Sequence, residues 1–222
     1  MVLTHLDHRR GRSWYRAVAD GGARSWVLDR EAVKGLRFLA GPNLGLPRPL
    51  GEAEQRLLDE AERASARRRA LHLLAHRGRS VAELRRLLGT WPFNASAVED
   101  AVQWAGELGY LDDRALARDI VGVSLARGGA GRQELVARIE SRGVDREVAV
   151  EAVEEGYPQE EEQRKATELA RRHVRSLEPL PSEQKVARLY RYLARRGFED
   201  EVVRHALCAV LGPEARRWLE AP

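Results

Sequence analysis

An internal repeat constrains the fold of this chain more than any other feature of its amino-acid sequence. Residues 135–153 align with residues 189–207 at a shift of 54 positions, and apolar residues then fall on apolar residues. Residues 83–102 align in the same way with residues 134–153 at a shift of 51 positions. Because the apolar residues recur at helical spacing, each unit supplies a set of short helices. The sequence therefore predicts three tandem repeats.

Each repeat is predicted to hold three helices, most of which are followed by a glycine. The predicted helices are 61–77, 81–88 and 96–108 in repeat 1, 114–127, 132–142 and 146–155 in repeat 2, and 161–177, 183–196 and 200–211 in repeat 3. The repeats themselves span 51–113, 114–156 and 157–222. Two capping boxes, Ser80 to Glu83 and Ser96 to Glu99, indicate helix starts in repeat 1. Repeats that contact only their neighbours predict a mainly α, elongated array with an extended binding surface.

Residues 1–50 differ from the rest of the chain. Two alternating apolar segments flank Asp20-Gly21-Gly22, whose residues tolerate the positive φ angles of tight turns, so a small β-hairpin is predicted. Asp29 is placed to cap a short helix that runs through Phe38. The proline-rich stretch 41–51 is predicted to be a linker without regular structure.

The charge balance excludes a chain that binds nucleic acid as a global polycation. Its 222 residues include 38 Lys and Arg and 34 Asp and Glu, which gives a formal net charge of +4. Any contact with nucleic acid must therefore use a local face of the protein.

The N-terminus has no apolar signal segment, and no window reaches the roughly 18 apolar residues of a membrane span. We therefore expect a cytoplasmic protein with no membrane contact.

Catalytic and metal sites have little support in the sequence. The single cysteine, Cys208, excludes an intrachain disulfide and a cysteine-rich zinc site. His72 and His76 have i,i+4 spacing but lack the glutamate of a metalloprotease motif, so exposed or capping histidines are favoured over metal ligands. The run 128–131 is glycine-rich but lacks the Lys-Ser/Thr of a phosphate loop, and it is better explained as a turn between helices. We expect no enzymatic activity, no metal and no cofactor.

Basic residues cluster on the predicted helix faces, and these clusters carry more functional information. Most clusters of this kind are solvated faces balanced by glutamate, but arginine also binds phosphates and carboxylates through two parallel hydrogen bonds. We therefore take them as candidate contacts with DNA or with a protein partner. The candidates are Arg67, Arg68 and Arg69 in repeat 1, and Arg164, Arg171, Arg172, Arg175, Lys185, Arg188, Arg195 and Arg196 in repeat 3.

The run Gly109-Tyr110-Leu111-Asp112-Asp113 is the most distinctive string of the chain. On physical grounds Gly109 ends a helix, and Tyr110 and Leu111 pack as apolar staples. Asp112 and Asp113 are both candidates for the cap of the next helix, where a carboxylate accepts a hydrogen bond from an unpaired backbone N–H. The predicted role of the run is mainly structural.

The same run carries a resemblance to a known family. The chain resembles the RecX family of regulators of the RecA recombinase. The matching segments are 109–113, 115–117, 132–135 and 142–144, with a lead-in at 77–84. The resemblance covers residues 60–211 and extends to the tandem three-helix architecture. One departure is Leu116, where the family often has an aromatic residue.

The resemblance implies a non-enzymatic negative regulator of RecA, with a role in DNA repair and homologous recombination. Members of the family bind RecA and its nucleoprotein filament, and they inhibit ATP hydrolysis, filament extension and strand exchange. The partners implied for this chain are RecA, the RecA–DNA filament, and single- and double-stranded DNA. We expect the protein to be a monomer.

Two other functions stay open at this point. Three-helix units are similar to helix-turn-helix domains and a hairpin can form a wing, so a DNA-binding transcriptional regulator is the main alternative. That alternative predicts sequence-specific duplex binding, usually by a dimer. A helical scaffold for an unrelated protein predicts no affinity for nucleic acid. The unequal tandem repeats favour the filament regulator, since no helix is a clear recognition helix rich in Arg, Asn and Gln.

Overall fold

The computed structural model describes residues 1–8, 13–39 and 45–219. The chain divides into two compact units, Met1–Asp112 and Asp113–Pro222. Within the described ranges the protein has eleven α-helices and four short strands. A small N-terminal antiparallel sheet precedes three tandem three-helix repeats, which confirms the prediction of a mainly α repeat protein.

The N-terminal sheet has four antiparallel strands. They are β1 (Val2–Asp7), β2 (Trp14–Ala19), β3 (Arg24–Asp29) and β4 (Arg48–Pro49), in the order β3-β2-β1-β4. β2 and β3 form the predicted hairpin, and a 3-10 turn at Asp20–Gly22 joins them, with a φ of 64° at Gly21. Because alternate residues of a strand face opposite sides, Ala17, Trp26 and Leu28 share one buried face.

The sheet extends beyond the predicted hairpin. β1 pairs with both β2 and β4, and the Leu50 amide donates to the Met1 carbonyl at 2.8 Å. β4 lies inside the stretch 41–51, so the prediction of a linker without regular structure is wrong there. Proline is tolerated in β4 because an edge strand needs only one pairing partner. Residues 41–44 of this stretch lie outside the described residues.

Helix α1 (Arg30–Gly35) follows β3 directly, and Asp29 caps it as predicted. The Asp29 carboxylate accepts a hydrogen bond from the Ala32 amide at 2.8 Å. The helix ends before the predicted end at Phe38, and a 3-10 turn at Arg37–Leu39 continues the chain. The prediction of the cap is confirmed, and the α-helix is shorter than predicted.

Repeat 1 contains the three helices α2 (Glu52–Leu74), α3 (Val81–Leu88) and α4 (Ala95–Glu107). α2 begins well before the predicted start at residue 61, because its first turns pack on the sheet, where Leu58 is fully buried. The sequence pattern does not reveal this contact, because the apolar spacing typical of repeat 1 begins only after the first turns of α2.

The two predicted helix caps of repeat 1 have different outcomes. The Ser80 hydroxyl accepts a hydrogen bond from the Glu83 amide at 3.0 Å at the start of α3, as predicted. Asn94 occupies the N-cap position of α4 without a side-chain capping hydrogen bond, and Ser96 lies inside the helix, so the second capping box is wrong. The Asn94 side chain donates to the Glu62 carboxylate at 2.6 Å, a tertiary contact that places the helix start.

The second unit holds repeats 2 and 3. Its helices are α5 (Asp113–Ala126), α6 (Arg132–Glu140), α7 (Arg146–Gly156), α8 (Gln159–Val174), α9 (Ser182–Arg195), α10 (Asp200–Leu211) and α11 (Pro213–Leu219). The glycine run at 128–131 is a turn between α5 and α6, as predicted. α11 is not among the predicted helices, and it packs on repeat 3 through the fully buried Ala215.

Four apolar positions that align in the sequence repeat are buried in all three repeats. Those in the second helix are Leu84, Leu135 and Leu189, and one turn later Leu88, Ile139 and Leu193. Those in the third helix are the pairs 101–102, 152–153 and 206–207. Each repeat therefore builds its own hydrophobic cluster from equivalent helix faces, which confirms the internal repeat.

Candidate nucleic-acid interface

Two of the three candidate arginines in repeat 1 form ion pairs within the first unit. Arg67 donates two hydrogen bonds of 2.8 and 2.9 Å to Asp100. Arg68 donates bonds of 2.5 and 2.8 Å to Asp29, the cap of α1. Burial acts to raise the pKa of Asp29, but Arg68 and the Ala32 amide outweigh it and lower that pKa. Both guanidinium groups are therefore engaged inside the protein.

Arg69 differs from its two neighbours. Its guanidinium carbon lies 4.4 Å from the centroid of the Trp91 ring, in a cation–π contact. The Nε atom of Arg69 is buried and has no hydrogen-bond partner among the described residues. Arg69 is thus held by an aromatic ring rather than by a carboxylate.

The candidate arginines of α8 and of the turn that follows it are only partly engaged. Arg164 donates to Glu161 at 2.8 and 2.5 Å, and Arg172 donates to Glu168. Ion pairs between exposed side chains of one helix contribute little to stability and leave the arginine accessible. The exposed arginines of this segment that pair with no carboxylate of the described residues are Arg171 and Arg175.

Helix α9 separates apolar and basic residues onto opposite faces. Val186, Leu189 and Leu193 are buried in the core of repeat 3. Arg188 and Arg195 lie on the opposite face at helical spacing, and both are exposed. Within the described ranges no carboxylate pairs with either of them. This face of α9 is therefore a row of cations held out toward solvent.

Arg191 completes the row, and the sequence reasoning missed it. It lies one turn from both Arg188 and Arg195, so the same helical spacing could have found it. Its Nε donates only to the Ala187 carbonyl, at 3.2 Å. The three arginines line an open groove of about 810 Å³, which we call the α9 groove.

Aromatic and polar side chains complete the α9 groove. His173 and Tyr192 stack in it with ring centroids 4.0 Å apart and planes 18° apart. Arg196 lies 5.6 Å from the centroid of the Tyr192 ring and donates to the Gly129 carbonyl at 3.3 Å. Glu134 of α6 also lines the groove.

The candidate residues of repeat 3 do not form one surface. The α9 groove brings together Arg188, Arg195 and Arg196 with the additional Arg191. Arg164 and Arg171 instead line a second groove of about 460 Å³, which His205 of α10 also borders. Arg172, Arg175 and Lys185 line neither of these two grooves.

A close backbone contact positions α6 beside the end of α9. The Gly131 amide donates to the Arg196 carbonyl at 2.7 Å, and the Gln133 amide donates to the Gly197 carbonyl at 3.2 Å. A Cβ atom on Gly197 would lie 2.3 Å from the Glu134 nitrogen, so only glycine fits there. This contact holds Glu134 at the α9 groove and joins repeats 2 and 3.

A buried carboxylate supports the same junction. Glu162 of α8 exposes 2% of its surface, and it accepts a hydrogen bond of 2.9 Å from the Arg132 amide at the start of α6. The Arg132 guanidinium donates to the Tyr157 carbonyl at 2.7 Å and faces the Glu162 carboxylate at 3.4 Å. Burial raises the pKa of Glu162, although Arg132 acts to lower it. The carboxylate therefore anchors α6 rather than facing solvent.

The run 109–113 closes repeat 1 and opens α5. Gly109 has a φ of 72°, and the Tyr110 amide donates to the Ala105 carbonyl at 2.9 Å, which forms a Schellman helix end. Leu111 is buried in the core of repeat 1, whereas Tyr110 is 54% exposed. α5 begins at Asp113. Of the two predicted apolar staples, only Leu111 is inside the core.

The described residues hold neither a metal-binding cluster nor a helix suited to crossing a membrane. No group of three or more His, Cys, Asp or Glu side chains is arranged to hold a metal ion. His72 and His76 lie one turn apart, and the His76 ring is 2.7 Å from the His72 carbonyl. None of the helices in the described ranges is both long and apolar enough to cross a membrane.

Comparison with protein families matches two parts of the chain. Residues 66–104 match the first three-helix domain of RecX, and residues 160–207 match the third three-helix domain of RecX. These segments lie in repeat 1 and repeat 3. The α9 groove arginines belong to the second matched segment.

Individual relatives cover more of the chain. Regulatory protein RecX of Chlorobaculum tepidum is 34% identical over 160 residues, which covers 72% of this chain and 97% of that protein. Regulatory protein RecX of Thermobifida fusca is 34% identical over 135 residues, which covers 61% of this chain and 72% of that protein.

Solved structures show the same fold. A crystal structure of regulatory protein RecX covers 91% of this chain and 97% of its own, with a TM-score of 0.62 at 17% identity. The crystal structure of RecX from Lactobacillus salivarius covers 67% of this chain, also with a TM-score of 0.62, at 15% identity. Because nearly the whole Chlorobaculum tepidum protein aligns at 34% identity, this chain belongs to the RecX family of regulatory proteins.

Proposed function

We propose that this protein is a negative regulator of the RecA recombinase. It binds RecA and the RecA–DNA filament, and it inhibits ATP hydrolysis, filament extension and strand exchange without a catalytic step of its own. Membership of the RecX family supports a regulatory role. The α9 groove supports a contact with the phosphates of filament DNA, because it presents several guanidinium groups on one face.

The observation that carries the proposal is that Arg188, Arg191 and Arg195 are exposed and not neutralised by a described carboxylate. In the part of the chain that the structure describes, these side chains have no carboxylate partner, whereas Arg67 is held by Asp100. A guanidinium with free N–H donors binds a phosphate through two parallel bonds. Binding to DNA also releases counterions, which favours association at low salt.

We further propose that the protein acts as a monomer in the cytoplasm, with repeat boundaries after residues 113 and 156. Separate hydrophobic clusters in the three repeats support these boundaries, with Tyr157 alone joining the cluster of the preceding repeat. Each repeat then offers its own outer face to the filament. Single- and double-stranded DNA share the phosphate chemistry that the α9 groove recognises, so both are ligands.

The proposal is tested with the ssDNA-dependent ATPase of the cognate RecA. The wild-type protein is expected to inhibit ATP hydrolysis at substoichiometric amounts. The triple variant Arg188→Gln, Arg191→Gln, Arg195→Gln removes three of the four arginines that line the α9 groove and leaves the buried face of α9 intact. We expect it to need at least about tenfold more protein for half inhibition, since each charge-assisted contact contributes about 1.5–3 kcal/mol.

The matched control removes the same number of charges at ion-paired sites. Arg85→Gln, Arg146→Gln, Arg204→Gln loses three exposed arginines that bind Glu99, Glu140 and Asp200. Its inhibition should stay close to wild type. No inhibition by the wild-type protein at stoichiometric excess would contradict the proposal. That result would favour the alternative of a DNA-binding transcriptional regulator. Equal losses in the two triple variants would show that net charge, and not the α9 groove, carries the contact.

A further inference from the structure

A second cleft, in the first unit, has features that the function proposed above does not use. Trp14 of β2 and Trp91 of the loop between α3 and α4 form it, with ring centroids 6.4 Å apart and planes 53° apart. Phe93 stacks on Trp91 at 5.9 Å with planes 13° apart. The fully buried Val27 also lines this cleft, whose volume is about 260 Å³. The two indole rings are only half-buried.

Charged side chains of both signs line this Trp14–Trp91 cleft, but its two carboxylates are paired, Asp29 with Arg68 and Glu31 with Lys34. Arg69 lies over the Trp91 ring at 4.4 Å, and Arg30 is exposed at the cleft. No carboxylate of the described residues pairs with either arginine, and the buried Nε of Arg69 has no hydrogen-bond partner there. The cleft thus combines aromatic faces with guanidinium donors that have no anion.

Another arginine–tryptophan pair in the same unit, Arg67 and Trp104, differs from Arg69 and Trp91 in having a carboxylate partner. Arg67 lies 5.6 Å from the centroid of the Trp104 ring, but Asp100 holds its guanidinium through two hydrogen bonds. The charge of Arg67 is therefore neutralised inside the protein. Arg69 occupies a similar position over an indole ring without that carboxylate.

The attachment of the sheet to repeat 1 does not depend on Arg30 or Arg69. The Glu62 carboxylate accepts hydrogen bonds from the Val27 amide at 2.9 Å and from the Asn94 side chain at 2.6 Å. The Asn94 side chain also donates to the Ser25 carbonyl at 2.9 Å. These polar contacts join β3 to α2 and to the start of α4, so Arg30 and Arg69 are not needed for that packing.

We propose that the Trp14–Trp91 cleft binds an unpaired nucleotide of a single strand of nucleic acid. The base stacks on the indole rings, and the adjoining phosphate binds Arg69 and Arg30. Stacking on aromatic rings is tolerant of sequence because every base has a π face. Charge complementarity selects this occupant, since an apolar peptide would leave both arginines without an anion. Duplex bases are paired and stacked, so they cannot enter the cleft.

The experiment measures binding of fluorescein-labelled (dT)8 to the full chain by anisotropy, in the absence of RecA. The α9 triple variant serves as the background, because it removes the other expected phosphate contact. Trp91→Leu is expected to weaken binding about 5- to 150-fold, the range for loss of one stacked base. Arg69→Gln, which keeps both rings, is expected to weaken binding in the same background. Circular dichroism establishes that each variant is folded.

The matched control is Trp104→Leu, which removes the ring beneath the ion-paired Arg67 and should leave the affinity for (dT)8 unchanged. A second readout is photo-crosslinking of (dT)8 that carries one 5-iodouracil, with crosslinks expected on Trp14 or Trp91. An eight-base-pair duplex should compete poorly with (dT)8.

Three results would overturn the inference. They are unchanged affinity in both Trp91→Leu and Arg69→Gln, equal competition by the duplex, and no binding of (dT)8 in the α9 variant background. The function proposed above is measured separately by RecA ATP hydrolysis, which does not enter this titration. A result against the RecA proposal is therefore distinguishable from a result against nucleotide binding in the Trp14–Trp91 cleft.

Discussion

At the scale of single residues, the contact between Gly131 and Gly197 leaves no room for a side chain on either one. A Cβ atom on Gly131 would lie 2.1 Å from the carbonyl of Gly197, although the φ of Gly131 is an ordinary −69°. Gly197 combines the same crowding with a φ of 76°. Gly109 ends its helix in the same way with a φ of 72°, but nothing lies within 4 Å of its Cβ position.

These three glycines separate the cost of backbone strain from the cost of crowding. Gly109→Ala should lower the free energy of unfolding by about 1–2 kcal/mol, the cost of a left-handed backbone for an L-residue. Gly131→Ala should lower it by about 1–3 kcal/mol through crowding alone. Gly197→Ala carries both costs and should be the most destabilising of the three. Urea unfolding followed by circular dichroism measures each value.

The double variant provides the control. Gly131 and Gly197 touch each other, so the costs of Gly131→Ala and Gly197→Ala should not add. The costs of Gly109→Ala and Gly197→Ala should add, because the two positions belong to different units. Equal losses for Gly109→Ala and Gly197→Ala would contradict the crowding between repeats 2 and 3.

At the scale of elements, helix starts depend on tertiary contacts as well as on local sequence. Ser80 and Ser96 each precede a glutamate by three residues, so both match the pattern of a capping box. Only Ser80 caps a helix, since Glu62 binds Asn94 and the α4 helix begins directly after it. Glu62 belongs to α2, and the local sequence around Ser96 does not predict its contact with Asn94.

Substituting each serine with alanine tests this difference. Ser80→Ala removes the acceptor of the Glu83 amide and should cost about 0.5–2 kcal/mol of unfolding free energy. Ser96→Ala replaces an exposed residue inside α4 with a better helix former, so stability should stay the same or rise slightly. Thermal unfolding measures both variants. A larger loss in Ser96→Ala than in Ser80→Ala would contradict the assignment of Asn94 as the cap.

At the scale of the whole molecule, the net charge of +4 is too small to account for strong binding to a polyanion. The uneven distribution of ion pairs explains how one face of the protein can still attract an anion. Many arginines are neutralised by carboxylates, including Arg67, Arg85 and Arg204, whereas those of the α9 groove are not. The distribution of ion pairs, and not the total charge, decides where an anion is attracted.

The salt dependence of DNA binding tests this distribution. A plot of log affinity against log salt concentration falls by about 0.9 for each duplex phosphate neutralised. The α9 triple variant should therefore reduce the slope by about 2–3 with a 20-base-pair duplex. The triple variant of Arg85, Arg146 and Arg204 has the same net charge and should keep the wild-type slope. Equal slopes in the two variants would show that the α9 groove does not contact phosphate.

The sequence by itself determined the repeat architecture, because apolar spacing and glycine helix ends are local properties of the chain. The second-helix positions Leu84, Leu135 and Leu189 were identified as equivalent from the shift alone, and all three are buried. The hairpin, the Ser80 cap and the Asp29 cap followed from local patterns in the same way. The basic face of α9 was also visible as helical spacing, although Arg191 was missed.

Only the tertiary structure decided which cations are available. Arg67 and Arg188 look alike in sequence, but Asp100, far along the chain, neutralises Arg67 and no described carboxylate reaches Arg188. The same holds for β4, whose pairing partner β1 lies at the other end of the first 50 residues. The physical reason is that ion pairs and strand pairs join residues that are distant in sequence, and periodicity reports only on neighbours.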